Sequence, residues 1–349
     1  MRGRSPKRVL GLTLATLLVV PVVVPVVAPA HAESVAEFYK GKTITLIAGY
    51  SAGGGFDLYS RIIASYLGKY IPGQPRIVVQ NMPGAGSLRA ASHVYNVAPK
   101  DGTVISLTRA PVIAPLLGST GGTAFDATKF TWLGSGASDL TVCALLGNPQ
   151  VRTMADAIQH PLTLGGMGPG SDEDMYTKIL RKLFGMKAQL VSGYPGGAEM
   201  VLAVERGELD GRCGWAYSSI KISKPEWITE KKIRFLNVLA LERSPELPDV
   251  PSVMEFATTE RQKQILSFVL NAQTLGRPFV APPNIPADRA NALRKAFEDT
   301  MADQVYLAEM KAKKLDVGPV NWRTIETLLK DFYATPQNIV DETRTIIAE

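Results

Sequence analysis

Four glycine-rich loops, each lying between a strand-like and a helix-like segment, constrain the fold of this chain most strongly. They occupy residues 51–57, 81–86, 165–171 and 194–197. Short runs with β-branched residues precede three of them, and apolar residues at helical spacing follow. This repeated order predicts an α/β protein with parallel strands joined by right-handed crossovers. Since loops that follow parallel strands meet at one edge of a sheet, we expect them to line a ligand-binding crevice.

Alternating segments fall into two series. In the first, strands are expected at 43–48, 76–80 and 103–107, with helices at 58–67 and 88–97. In the second, strands are expected at 132–134, 141–146, 162–164, 212–215 and 234–239, with helices at 171–184 and 198–206. Long amphipathic helices are expected at 288–313 and 321–332. The pattern predicts two α/β lobes, each a mainly parallel sheet flanked by helices, with a cleft between them. Lobe 1 is expected to comprise residues 33–134 plus 266–349, and lobe 2 residues 135–265.

The N-terminus has the order of an export signal. Four basic residues precede an uncharged run over 9–30, which ends in the small-residue sequence Ala30-His31-Ala32. This predicts a signal peptide over residues 1–32, cleaved after Ala32, and a periplasmic mature protein. The alternative is an uncleaved membrane anchor, because the apolar run is long enough to span a bilayer. Prolines at 21, 25 and 29 would interrupt such a helix.

Charge and cysteine content narrow the function further. Of the 38 basic residues, four lie in the signal peptide, so the remaining 34 nearly balance the 32 acidic residues. A nearly neutral body does not support nucleic-acid binding. With two cysteines and three histidines, no metal or cofactor is expected. Cys143 and Cys213 would either form a disulfide, which an oxidising compartment allows, or remain two buried thiols.

The glycine loops supply the candidate ligand-binding residues. Glycine lets backbone N–H groups approach a ligand, and a following helix N-terminus favours an anion. The candidates are Ser51, Gly53, Gly54, Gly55, Asp57, Gly84, Ala85, Gly86, Gly168, Gly170, Ser171 and Tyr194, with Arg109 and Arg212 as partners for a second carboxylate. Asp57 and Ser171 are also expected to cap helices. The acidic residues 172–174 would repel an anion, which leaves a neutral or amino-bearing ligand open.

An enzymatic interpretation competes for the first loop. Gly49-Tyr-Ser-Ala-Gly53 matches the nucleophile elbow of serine hydrolases, with Ser51 as the nucleophile. That chemistry needs an acid and then a histidine later in the chain, and only His93 and His160 follow Ser51. An exported serine hydrolase is therefore the alternative function.

The ordered set of motifs resembles the Bug family, the periplasmic substrate-binding proteins of tripartite tricarboxylate transporters. The resemblance rests on Tyr50-Ser-Ala-Gly-Gly-Gly-Phe-Asp57, on residues 79–86 and 98–102, on Gly168-Pro-Gly-Ser171 and Tyr194-Pro-Gly-Gly-Ala198, and on 205–211, 248–252 and 279–283. The resemblance implies a two-lobed periplasmic-binding-protein fold, with the ligand cleft between the lobes. The two lobes would close on one small organic anion, usually a carboxylate, without catalysis. Backbone amides, hydroxyls and water of loops 51–57 and 168–171 would hold the anion. The expected partners are an organic-acid ligand and a membrane permease, and the protein is expected to be a monomer.

Overall fold

The computed structural model describes Met1 and residues 33–117 and 125–349. Apart from Met1, the predicted signal peptide lies outside the described residues. Residues 34–349 form one compact unit built around two β-sheets. Within the part of the chain that is described, no helix is long and apolar enough to cross a membrane.

Eleven described strands form the two sheets. They are β1 Thr43–Ala48, β2 Arg76–Asn81, β3 Val104–Leu107, β4 Thr131–Ser135, β5 Thr141–Leu145, β6 Leu162–Gly165, β7 Ala188–Val191, β8 Gly211–Ala216, β9 Arg234–Val238, β10 Pro278–Ala281 and β11 Val320–Asn321. The first sheet has the order β11-β4-β10-β3-β1-β2, and the second has the order β7-β6-β8-β5-β9.

Both sheets are mixed. In the first, β1 is parallel to β2 and β3, whereas β10 runs antiparallel to β3 and β4, and β11 antiparallel to β4. In the second, β6 is parallel to β7 and β8, whereas β5 runs antiparallel to β8 and β9. Most described strands of each sheet therefore share one direction. The reversed strands β10 and β5 are each the first strand after the chain has changed sheets, so no helical crossover joins them to a parallel neighbour.

Helices flank both sheets. They are α1 Val35–Tyr39, α2 Gly55–Tyr70, α3 Leu88–Asn96, α4 Ala110–Leu117, α5 Met154–Gln159, α6 Asp172–Phe184, α7 Gly197–Glu205, α8 Tyr217–Ser223, α9 Pro225–Thr229, α10 Glu260–Asn271, α11 Ala287–Ala302, α12 Gln304–Ala312, α13 Trp322–Tyr333 and α14 Gln337–Ala348. The single helix expected over 288–313 is two. Asp303 ends α11 and caps α12 by accepting hydrogen bonds from the backbone N–H groups of Val305 and Tyr306.

The chain changes sheets twice, between β4 and β5 and between β9 and β10. One apolar core runs across both sheets, since residues of α3 and α4 share a cluster with residues of β5 and α6. The C-terminal helix α14 packs against both α4 and α6, and the Lys178 Nζ of α6 donates to the Ile347 carbonyl, 2.6 Å away. The terminal helix therefore joins the two layers.

The two cysteines are paired between neighbouring strands. Cys143 of β5 lies opposite Cys213 of β8 in the antiparallel register, and the structure joins them in a disulfide. Both residues are fully buried. The bond would tie together the two central strands of the second sheet, across a sequence separation of 70.

Candidate functional site

A cavity of about 300 Å³ lies where loops and helices of the two sheets meet. Six of the candidate residues line it: Gly53, Gly54, Gly55, Arg109, Ser171 and Arg212. The cavity is also lined by parts of α7 and α8 and by the segment that precedes β10. Its volume is at the lower end of the range for small-molecule sites.

The N-termini of α2 and α7 face each other across this cavity. Gly54 precedes α2 and Gly196 precedes α7. A Cβ built on Gly54 would lie 3.9 Å from the backbone nitrogen of Gly197, with nothing nearer. The first N–H groups of a helix have no acceptor within it, and the helix dipole adds a partial positive charge there. The two termini therefore bring unpaired donors and partial positive charge to this cavity.

The Asp57 carboxylate holds the first loop in place through hydrogen bonds. Its carboxylate accepts hydrogen bonds from the Gly53 N–H at 3.0 Å, from Arg61 Nε at 2.9 Å and from Asn81 Nδ2 at 2.8 Å. Burial by itself would raise the pKa of Asp57, but these bonds outweigh it and hold the pKa below its ordinary value. The expectation that Asp57 caps α2 is wrong: Gly54 is the N-cap, without a side-chain cap hydrogen bond, and Asp57 is the third helical residue. Asp57 does not line the cavity, and the Gly53 N–H is already used within the loop.

Ser51 also contacts protein rather than the cavity. Its Oγ donates to Glu199 Oε2 at 2.8 Å, which ties the first loop to α7. A Cβ on Gly196 would lie 2.0 Å from the same Oγ, so the close approach requires glycine there. The partner of the supposed nucleophile is thus a carboxylate and not a histidine. This geometry does not match the Ser–His arrangement of the hydrolase elbow.

The second and third glycine loops pack on each other. A Cβ on Gly86 would lie 2.2 Å from the backbone carbon of Gly170, and one on Gly170 would lie 2.2 Å from the Ala85 carbonyl oxygen. Gly84, Ala85, Gly168 and Tyr194 line a second, more open depression. Gly84, Ala85, Gly86, Gly168 and Gly170 are therefore not among the residues that line the cavity, whereas Met167 and Ser171 of the third loop are. The small residues of the second and third loops allow the backbone of residues 85–86 to contact the backbone of residues 168–171.

Ser171 lines the cavity and caps α6. Its Oγ accepts a hydrogen bond from the Asp174 N–H at 3.2 Å and donates to the Gly168 carbonyl at 2.8 Å. The capping role expected from the sequence is present. The same two bonds occupy the hydroxyl, so any contact with a ligand would be an additional one.

Arg109 is a wall residue whose donors are occupied. Its side chain is 3% exposed, and Nε lies 2.9 Å from Asp172 Oδ2. Nη1 donates to the carbonyls of Ala272 at 3.2 Å and Leu275 at 2.6 Å. Arg109 therefore joins β3 to α6 and to the segment on which the chain returns to the first sheet. Asp172 was expected to repel an anion, but its carboxylate neutralises Arg109.

Arg212 forms a second buried ion pair, with Glu173. The guanidinium also lies over the ring of Trp215, with 4.6 Å between the guanidinium carbon and the ring centroid. Its Nε has no hydrogen-bond acceptor among the described residues. Burial raises the pKa of Glu173 to about 7, even though Arg212 beside it lowers that pKa.

Two further ion pairs at the cavity were not predicted. Arg277 pairs with Asp139 and stacks on Phe56 at 4.2 Å, and Lys224 pairs with Glu205. All four charged side chains line the cavity. Asp139 and Arg277 lie in the two segments where the chain passes from one sheet to the other. The predicted lobe boundaries indicated these segments, so the positions of both residues near the cavity could have been expected. Their pairing joins residues far apart in the sequence, and no local pattern encodes it.

The fold and the site together define a class of protein, the two-sheet binding proteins with a ligand site between the sheets. Solved structures with this architecture include the periplasmic binding protein BugD, with TM-score 0.67, 19% identity and coverage of 88% of this chain and 98% of that one. MatC from Rhodopseudomonas palustris with bound malate has TM-score 0.65, 20% identity and coverage of 88% and 99%. A second R. palustris protein, with adipate, has TM-score 0.65, 20% identity and coverage of 87% and 97%.

Residues 60–344 match the family model TctC, described as the tripartite tricarboxylate transporter family receptor. The chain belongs to this family. The Bug-type resemblance and the fold class are thereby confirmed, and the family is one of binding proteins and not of enzymes. The hydrolase alternative is set aside.

Proposed function

We propose that this protein captures a small organic carboxylate in the periplasm and delivers it to the membrane permease of a tripartite tricarboxylate-type transporter. The protein would act as a monomer, exported by the cleaved signal peptide. The ligand would close two lobes, residues 33–134 plus 266–349 and residues 135–265, around the cavity. A closed receptor would present a surface from both lobes to the permease. Two structural relatives with bound malate and adipate support a carboxylate as ligand.

One observation carries the proposal: the N-termini of α2 and α7 meet at a cavity of about 300 Å³. Gly54, Gly55, Gly197 and Ala198 line this space, and the N–H groups at a helix N-terminus have no acceptor within the helix. A carboxylate placed there would accept charge-assisted hydrogen bonds from both halves at once. A micromolar affinity corresponds to about −8 kcal/mol, which a few such bonds and burial of the ligand can supply.

The test is calorimetric titration of the purified protein with a panel of mono- and dicarboxylates, next to their amides. Gly54→Ala is the diagnostic variant, because a Cβ there meets nothing closer than 3.9 Å and the φ of Gly54 is −85°. Its methyl group would keep a carboxylate from approaching the N–H groups. The loss of one charge-assisted bond, about 1.5–3 kcal/mol, predicts a roughly 10- to 100-fold weaker affinity.

Gly318→Ala is the matched control. Its Cβ would also meet only ordinary contacts, the nearest being Ser138 Oγ at 3.5 Å, and Gly318 is not at the cavity. We expect it to bind as the wild type does. If no carboxylate binds, or if both alanine variants bind equally well, the proposed site is wrong. If the wild type hydrolysed an ester and Ser51→Ala did not, the protein would instead be a serine hydrolase.

A further inference from the structure

The charged groups at the cavity already neutralise one another. Its four cationic side chains, Arg109, Arg212, Arg277 and Lys224, are each paired with an acid that also lines it: Asp172, Glu173, Asp139 and Glu205 respectively. Among the described residues, the cavity wall thus holds no cation without a carboxylate partner. A ligand with two carboxylates would have to compete with one of these acids for its second group, or leave that group buried and uncompensated.

Much of the remaining wall is apolar, although Thr141, Ser219, Ser223 and Gln273 also line the cavity. Val201 and Leu202 follow Ala198 by three and four positions, so one face of α7 points into the cavity. Leu58 of α2 and Ile222 of α8 also line it. These side chains lie beyond the helix N-termini that border the anion position. They would surround the body of a ligand whose carboxylate is held by the glycine N–H groups.

Leu202 has no packing partner that hides it. It is 49% exposed, which makes it one of the few exposed large hydrophobic side chains of the described chain, and it lies at the cavity. An apolar side chain left open at a binding cavity is a surface that an apolar ligand would cover.

We infer that the ligand is a monocarboxylate with an apolar aliphatic or aromatic body, and that the cavity discriminates against dicarboxylates. This inference rests on the proposed function and specifies its ligand class. The carboxylate lies at the N-termini of α2 and α7. The apolar body lies against Val201, Leu202, Leu58 and Ile222. Leu202 is a specificity-determining residue, because it covers the ligand and contributes little to the folded core.

The experiment is calorimetric titration of the purified protein with butanoate, hexanoate, adipate and hexanamide. Hexanoate and adipate have the same carbon chain and differ by one carboxylate. We expect affinity to rise about fourfold per methylene from butanoate to hexanoate. Hexanoate should bind at least about tenfold more tightly than adipate, because adipate buries a second, uncompensated charge.

Leu202→Ser tests the apolar wall, and Leu241→Ser is its control. The two leucines are 49% and 48% exposed, but only Leu202 lines the cavity. Leu202→Ser should weaken hexanoate binding about tenfold and butanoate binding less, while Leu241→Ser leaves both unchanged. Both variants should keep the wild-type melting temperature.

The outcomes separate the two proposals. Adipate binding more tightly than hexanoate, or a loss that is the same in both leucine variants, would overturn the monocarboxylate assignment and leave the carboxylate receptor intact. Hexanamide binding as well as hexanoate would overturn the carboxylate site and leave the apolar wall. If none of the four compounds binds, the monocarboxylate assignment is wrong, and the wider panel of mono- and dicarboxylates decides the proposed function.

Discussion

Removing Arg212 should expose how strongly the buried pair with Glu173 depends on charge. The two side chains are 6% and 3% exposed, so neither charge is well solvated. In Arg212→Met, Glu173 remains buried without its cation. Breaking a buried pair in this way costs about 3–5 kcal/mol of the free energy of unfolding. Lys182→Met is the control, because Lys182 and Glu349 form a pair that is 51% and 54% exposed, and its loss should cost less than about 1 kcal/mol.

The cost should also depend on pH. The folded-state pKa of Glu173, about 7, lies above the ordinary 4.5. The folded protein therefore keeps a proton that the unfolded chain has released, and the contribution of Glu173 to stability falls as pH rises between these two values. Arg212 attracts Glu173 only when the carboxyl is ionised. The destabilisation by Arg212→Met should thus be larger at about pH 8 than at about pH 5.5.

Urea unfolding at both pH values measures these effects. Glu173→Gln should be costly at both pH values, because it leaves the buried Arg212 guanidinium, which stays protonated, without a counter-charge. The double variant should be more stable than the sum of the single effects implies, since it removes both buried charges. An equal cost of Arg212→Met at the two pH values, or strict additivity in the double variant, would refute the charge-based reasoning.

Three further variants test backbone packing and the disulfide. Gly86→Ala should lower the free energy of unfolding by about 2–3 kcal/mol, because Gly86 has φ +58° and its Cβ would overlap the backbone of Gly170. Gly185→Ala, with φ +72° and nothing within 4 Å, should lose only the conformational cost of about 1 kcal/mol in the same urea titration. The paired change of Cys143 and Cys213 to serine should lower stability by about 2–4 kcal/mol. Thiol titration of the unfolded wild type should find no free thiol, and two free thiols would contradict the pairing.

Local patterns predicted part of the elements of this protein. Apolar periodicity indicated eight of the eleven described strands, all except β7, β10 and β11, and half of the fourteen described helices. The order of the glycine motifs indicated the family. Ser171 was identified as a capping residue from spacing alone, because a cap acts over three or four residues, whereas the expected cap at Asp57 was wrong. The break at Asp303 was missed, since both sides of it continue the same amphipathic pattern.

The roles of the glycine loops could not be assigned in the same way. All four loops have the same local signal, a strand followed by small residues and a helix. The first and fourth loops border the cavity at 53–55 and 197–198. The second and third pack against each other, and the third also reaches the cavity with Met167 and Ser171. Whether a glycine lines the cavity or allows close backbone packing depends on the residues opposite it. Those residues are determined by how the two sheets pack together.

The sequence by itself determined the α/β architecture, the two changes of sheet and membership of a receptor family, because these follow from short-range periodicity and ordered motifs. Only the tertiary structure decided that the arginines at the cavity are neutralised by nearby acids and that one helix face is left apolar. Arg109 and Asp172 are 63 positions apart, and the partners Arg277 and Asp139 lie in different thirds of the chain. Ion pairs form between side chains that are close in space, even when they are far apart in the sequence. They can therefore be identified only in the folded structure.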